Sequence, residues 1–455
     1  MRVKTNKNVG AALFVGLIVL TVELVGIPFF KLTSAQEIAA AILIIAAALW
    51  ITEWVPLFVV SFLILALEIV WLLPLLQIAD VHASAKIFFS SFFSNIILLF
   101  LGGFVLSSLM QKYGLDLKFA QAILERTHGN APYTLLGIIL VCALLSMWIS
   151  NTATTAMMLT IVFPLLKRIP EDHPFKIALV LSIPFACNIG GIGTPIGTPP
   201  NAIALSYLSN MGLNLSFAQW MLLTLPFLVF FLFFLWQLLL RLYPANGLIL
   251  RIDSRKTITF DFKHVAALSI FVLTALGWFF GSRLDLKTGT VALLPIIACF
   301  WFGLLDTNDF RKLPWDILYI ISGGLALGVA LKASGLGELL ITSLPAESRT
   351  IFLLGIAAAG AISTVMSNTA TAGLIIPLVI SINMATSELV ALIVALALAC
   401  SMAMTLPVTT PPNAIAFSAR VIRTKDMILS GGILTIVGIV CLMLFGPFYW
   451  SLILN

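Results

Sequence analysis

Two short polar strings each occur twice in this chain. Ser150–Thr154 and Ser367–Thr371 both read Ser-Asn-Thr-Ala-Thr, and Thr198–Ala204 and Thr410–Ala416 both read Thr-Pro-Pro-Asn-Ala-Ile-Ala. None of the four contains an acid, a base or a thiol. Their hydroxyl and amide oxygens are neutral hard ligands that suit an alkali cation, and their O–H and N–H groups can donate to a carboxylate. That is chemistry for holding ions, not for making or breaking bonds. No nucleophile–base pairing stands out. The glycine-rich Gly190–Gly197 lacks the Lys-Ser/Thr ending of a phosphate loop. The five cysteines are scattered through apolar stretches as packing residues, with no zinc or disulfide spacing.

The surroundings sharpen this reading. Gly129–Leu166 and Thr350–Ser387 carry no Asp, Glu, Lys or Arg, and each has its Ser-Asn-Thr near the middle. In the first stretch the limbs on either side come to roughly 27 and 22 Å at helical rise. Two full crossings would put a polar turn at the far surface; two short limbs put it partway in. Both stretches are read as re-entrant hairpins. Irregular backbone at membrane depth must be buried in protein or line a cavity. A tip there has one carbonyl end, suited to a cation, and one amide end, suited to an anion.

The Thr-Pro-Pro-Asn strings read as breaks in long helices, since proline removes a donor and clashes with the preceding turn. The half-helices beginning near Asn201 and Asn413 then aim their amide ends at the same cavity. Ile177–Leu240 has no Asp, Glu, Lys or Arg at all. A bound dianion would lack an arginine clamp, so co-bound cations must offset its charge, at a site where desolvation costs several kcal/mol per ion. This is a physical basis for obligatory coupling to sodium as the co-transported ion. No organic cofactor is implied.

Which elements could position such strings? Hydrophobic residues make up 61% of the 455, charged residues 10%, and mean hydropathy is +1.12. Soluble domains run at about 25% charged, which excludes an ordinary soluble enzyme or nucleic-acid binder. The apolar blocks are long and unbroken, unlike the alternating strands of a membrane barrel. The reading is an all-α polytopic membrane protein with spans near 11–30, 36–54, 55–76, 94–112, 216–240, 264–281, 288–305, 315–333 and 427–452. Broken helices at 176–212 and 387–422 bring the count to about eleven spans, and the hairpins at 132–167 and 349–382 return to their own side. The basic segment Met1–Lys7 precedes a retained first span. With the N-terminus inside, 19 Lys and Arg fall on the inner side and six on the outer, a bias that orients the chain with its C-terminus outside.

The repeated strings belong to a larger repeat. Gly102-Gly103 and Gly114-Leu115 match Gly323-Gly324 and Gly335-Leu336 at an offset of 221; the Ser-Asn-Thr strings follow at 217 and the Thr-Pro-Pro strings at 212. Each half holds five crossings and one hairpin. Five is odd, so the second copy lies inverted, as in secondary transporters that bind cargo near the midplane at broken helices.

With two Ser-Asn-Thr and two Thr-Pro-Pro strings in this order, the chain closely resembles the divalent anion/sodium symporter family, from about Ile38 to Phe448. The resemblance implies transport of a small di- or tricarboxylate such as succinate, malate or fumarate, a homodimer in the plasma (inner) membrane, and an elevator motion. It implies scaffold spans in 1–130, transport half one in 131–241, a cytoplasmic linker 242–263, scaffold spans in 264–345, and transport half two in 346–455. One sodium would meet Ser146, Ser150, Asn151 and the backbone of Gly197. A second would meet Ser363, Asn368 and the backbones of Met366 and Thr409. Carboxylates would meet Asn151, Thr152, Thr198, Pro199, Asn368, Thr369, Thr410 and Pro411. In one asymmetry, Gly190–Gly193 in the first half faces the bulkier Met402–Thr405 in the second.

Other residues read as supporting parts. Glu23, Glu53 and Glu68 lie in or beside spans and are assigned scaffold or interfacial roles ahead of proton coupling. The four histidines fall in loops or at span ends. Asp116–His128 reads as an amphipathic helix on the inner surface. The rivals to sodium symport are a sodium-independent exchanger or a sulfate carrier on the same fold and, in another class, a membrane enzyme or ion channel. The partners expected are a small carboxylate, sodium and lipid, with no nucleic acid.

Overall fold

The computed structural model describes residues 32–78, 84–250, 261–342, 348–379 and 384–454. The expected span at 11–30, Glu23, His82 and residues 251–260 of the linker lie outside them. Among the described residues every regular element is helical apart from an isolated bridge between Asn130 and Ile249.

The helices used below are α1 Ser34–Thr52, α2 Leu57–Ile78, α3 Asn95–Lys112, α4 Leu115–Glu125, α5 Ala131–Ser146, α6 Asn151–Leu166, α7 Phe175–Gly191, α8 Pro199–Asn210 and α9 Phe217–Leu242. They continue with α10 Phe262–Phe280, α11 Thr288–Trp301, α12 Trp315–Ala333, α13 Leu336–Thr342, α14 Ser348–Val365, α15 Asn368–Val379, α16 Thr386–Ser401, α17 Pro411–Ser418 and α18 Thr424–Leu454. Eight helices among the described residues are long and apolar enough to cross a bilayer: α1, α2, α3 with the turns before it, α9, α10 with the turn after it, α12, α14 and α18.

The hairpin limbs α5 and α6 have 16 residues each, about 24 Å at helical rise, which is short of a hydrocarbon core of about 30 Å. In the second hairpin α14 has 18 residues and α15 only 12. The broken helices divide at the expected place, with α7 ending at Gly191 and α8 starting at Pro199, and α16 ending at Ser401 and α17 starting at Pro411. Proline at the first helical position suits each restart, because its missing N–H has no intrahelical partner there.

Burial divides the helices by role. Leu389–Ser401 of α16 and Ala178–Gly191 of α7 are buried throughout, so these two rods run through the middle. By contrast α2, α9, α10 and α18 expose Phe62, Phe230, Leu273 and Leu444, an apolar surface fitted to lipid.

Packing between the two halves is reciprocal. The double-glycine helix α3 lies along α11, and Gly102 has no room for a Cβ beside Ala292. The double-glycine helix α12 lies along α2, with Gly323 tight against Ser61. After each comes a left-handed glycine, Gly114 (φ 59°) and Gly335 (φ 71°), which turns the chain into α4 and α13. Helix α4 is amphipathic as expected, but it rests on α3 and α5, and Asp116 is buried with its Oδ1 accepting from the Leu117 N–H at 2.8 Å. Burial raises the Asp116 carboxyl above the usual carboxylate range. Glu53 is exposed as the left-handed cap of α1.

Candidate functional site

The first tip is built where α5 stops and α6 restarts. Ser146, fully buried, donates from Oγ to Oδ1 of Asn151 across the turn. Ser150 holds the cap position of α6 with no side-chain bond to the helix amides, so its hydroxyl is not spent on capping. The broken-helix loop closes over this pair. A Cβ on Gly191 would lie 3.0 Å from the Gly197 carbonyl and 3.1 Å from both amide atoms of Asn151. Ser146, Asn151 and Gly197 thus share one small region, lined by hydroxyl, amide and carbonyl oxygens.

The second tip repeats the arrangement. Ser363 Oγ lies 2.8 Å from Asn368 Oδ1 and 2.7 Å from the carbonyl of Cys400, at the end of α16, and its one hydrogen is shared between them. Thr409 donates to the Thr364 carbonyl at 3.3 Å, which fastens the second broken-helix loop to the hairpin. Met366 is buried beside the tip. Ser367 differs from Ser150, because its Oγ accepts from the Ala370 N–H at 3.3 Å and caps α15.

The Thr-Pro-Pro ends cross between halves. Helix α17 packs on α6 and α7, so Thr410 and Pro411 approach the first hairpin; α8 packs on α15, so Thr198 and Pro199 approach the second. Thr198 and Thr410 are buried, Pro199 is half-buried and Pro411 exposed. Thr152 and Thr369 are half-buried on the first turns of α6 and α15. Each half-helix thus packs against the hairpin of the opposite half, and a helix amide end is suited to an anion.

Three residues of this framework were not singled out by the sequence reading. Asn201 Nδ2 donates to the carbonyls of Gly191 (2.9 Å) and Thr194 (2.8 Å), and Asn413 Nδ2 donates to those of Leu406 (3.1 Å) and Met404 (3.5 Å). Each is the asparagine of Thr-Pro-Pro-Asn, and each bridges the loop that its own half-helix leaves. The duplicated Asn was the available signal. Asn188 has no such signal, since Cys400 stands at its repeat position. Its Nδ2 reaches Thr410 Oγ1 (3.4 Å) and Asn413 Oδ1 (3.3 Å), joining the first half's α7 to the second half's loop.

The donors at both tips are neutral oxygens, and no group of three His, Cys, Asp or Glu side chains is placed to hold a metal ion among the described residues. This chemistry suits an alkali ion as cargo. A model of the citrate transporter family matches residues 47–400. The chain belongs to that family. It is 29% identical over 434 residues to an uncharacterized transporter of Haemophilus influenzae, covering 90% of this chain and 91% of that one. It is 30% identical over 428 residues to the sodium-dependent dicarboxylate transporter SdcS of Staphylococcus aureus, covering 85% and 81%. The crystal structure of the Alcanivorax borkumensis YdaH transporter, described as having an unusual topology, superposes with a TM-score of 0.55 at 13% identity over 87% of this chain and 98% of that one, a likeness of fold. The protein is an integral membrane transporter and not an enzyme.

Proposed function

We propose that this transporter couples sodium entry to the uptake of a small di- or tricarboxylate, with a four-carbon dicarboxylate as the first candidate. The observation that carries the reading is the paired tip: Ser146–Asn151 and Ser363–Asn368 make the same contact in two separate hairpins, each under a broken-helix loop. One sodium is assigned to Ser146, Ser150, Asn151 and the Gly197 backbone. The other is assigned to Ser363, Asn368 and the backbones of Met366 and Thr409. Asn151, Thr152, Asn368, Thr369 and the Thr198–Pro199 and Thr410–Pro411 ends are assigned to the carboxylates. The site has no cationic side chain of its own among these residues, so the dianion binds well only with the sodium ions beside it. A relative named as a sodium-dependent dicarboxylate transporter supports both the coupling and the cargo class.

The reciprocal packing of α3 with α11 and of α12 with α2 supports an inverted repeat. On that reading 1–130 and 264–345 form a fixed scaffold. The segments 131–241 and 346–455 form a moving body joined through the linker 242–263, in a homodimer with the N-terminus cytoplasmic and the C-terminus outside. An elevator motion then carries both tips across together.

Uptake of labelled succinate into proteoliposomes, with and without an inward sodium gradient, tests the reading. The expected result is accumulation that requires sodium outside. Accumulation that ignores sodium but needs internal carboxylate selects an exchanger, and sulfate uptake in place of succinate selects a sulfate carrier. No carboxylate flux under any gradient overturns the proposal.

A further inference from the structure

Helix α2 is interrupted by a π turn at Glu68–Leu72. Such turns add a residue to the helix and are frequent at functional positions. The residue that opens it, Glu68, is 0% exposed, and neither carboxyl oxygen has a hydrogen-bond partner. The other two acids buried among the described residues are served: Asp116 accepts from the Leu117 N–H and Asp426 from the Arg423 N–H at 2.9 Å. A charged carboxylate taken out of water with neither donors nor a counter-ion is strongly disfavoured.

Among the described residues the neighbouring elements offer no counter-charge. Glu37 on α1, Glu53 at its cap, Lys86 on the short helix Ala85–Phe89, and Asp316 and Lys332 on α12 are all exposed, and Tyr319 on α12 turns its ring to Phe62 at 4.9 Å. Tyr207 of α8 packs on α12, the helix that lies along α2, and is an ionisable group that the charge of Glu68 reaches. It is buried, its hydroxyl donates to the Gly324 carbonyl, and its ring fills the hollow that Gly328 leaves on α12.

We propose that Glu68 is a proton-binding site and that the seating of Tyr207 against α12 depends on the proton it holds. One proton from the aqueous phase converts the carboxylate to a neutral acid; no other bond changes. Without it, the bare charge draws the Tyr207 hydroxyl away from Gly324 and loosens α8. The proton site stands on burial and missing partners alone. Its consequence for transport rests on the reading above, in which α8 moves while α2 and α12 stay. Since the acid sits on the fixed part, pH sets the rate of the cycle and no proton is carried across.

Two measurements test this on the full-length protein. First, infrared spectra at neutral pH are expected to show the carbonyl band of a buried neutral carboxylic acid that disappears in Glu68→Gln; identical spectra mean Glu68 is ionised and overturn the site. Second, Val329→Cys places a thiol half-buried in the narrow gap between α8 and α12. Its labelling by a methanethiosulfonate, relative to the same cysteine in Glu68→Gln, is expected to rise at least about threefold from mildly acidic to mildly alkaline pH. The ratio cancels the reagent's own pH dependence, and a flat ratio overturns the link to Tyr207. Should Glu68→Gln not assemble, Tyr207→Phe is expected to keep the infrared band while labelling fast across the pH range; slow labelling there also overturns the link. If the wild type shows the band but moves no carboxylate, the transporter reading fails and the proton site remains.

Discussion

The two broken-helix loops begin their restarts with the same seven residues, yet their surroundings differ. In the first half every residue from Gly190 to Thr198 is buried, and Gly191 lies close against the Asn151 amide. In the second half Val408 is 79% exposed, Pro411 is exposed, and Leu406 and Pro407 are half-buried. The hairpins are unequal in the opposite sense. The second limb α15 lies along α12, and Met366 and Ala370 join the cluster formed by α1, α2 and α12, whereas α6 makes no comparable contact with α3. One tip is tight within its own loop and loose against the spans around it; the other is the reverse. Equal local sequences have therefore acquired unequal neighbours, and the proposed inverted relation of the two halves would account for that inequality.

The largest expected effect erases the comparison. Asn151→Ala and Asn368→Ala each remove a side chain assigned to both sodium and substrate, and each should abolish sodium-driven succinate uptake while the protein still folds. Normal uptake in both variants would overturn the site assignment. Next is Gly191→Ala, which installs in the first loop the alanine that the second carries at Ala403. Its Cβ meets the Gly197 carbonyl and the Asn151 amide at about van der Waals limits or closer. Such overpacking costs about 1–3 kcal/mol. Uptake should fall roughly tenfold or more, with a higher sodium requirement, while Ala403→Gly should change little.

Smaller effects sharpen the contrast. Thr152→Ala and Thr369→Ala should raise the apparent succinate constant about tenfold, the scale of a hydrogen bond to a charged group, and leave sodium dependence in place. Asn188→Ala cuts one hydrogen-bonded contact between the halves and takes a donor from Asn413 Oδ1, which should lower stability by about 1–3 kcal/mol in thermal unfolding. The smallest change is expected from Trp148→Leu. Trp148, two residues before the first tip, stacks at 5.7 Å on Phe217, which stacks at 5.5 Å on Trp278 of α10. Loss of one such ring pair removes about 0.5–1.5 kcal/mol beyond area burial, read as a modest Tm shift and altered tryptophan fluorescence.

Much of this was legible in one dimension because lipid restricts the options. A crossing needs about 20 apolar residues with internally satisfied backbone, so the spans at 94–112, 216–240, 264–281 and 315–333 emerge as α3, α9, α10 and α12 within a few residues. Proline restarts and the duplicated Ser-Asn-Thr strings announced the loops and the tips, since both act through local backbone geometry. The lone Asn188 did not announce itself, and Glu68 stood beside Glu23 and Glu53 with nothing to mark its burial without a partner. A single polar residue in an apolar stretch looks alike whether it meets a partner, bridges two halves or meets nothing.

From its amino acids alone this chain is committed to lipid, to two collinear sets of repeated strings and to uncharged polar groups within them, because hydropathy, repeat order and residue type are properties of the string. Tertiary structure decided which tip lies enclosed, that Asn188 joins the two halves, and that Glu68 is left without a partner. Those outcomes depend on which surfaces meet across more than a hundred residues of chain, and identical local sequence acquires different neighbours according to which of them it packs against.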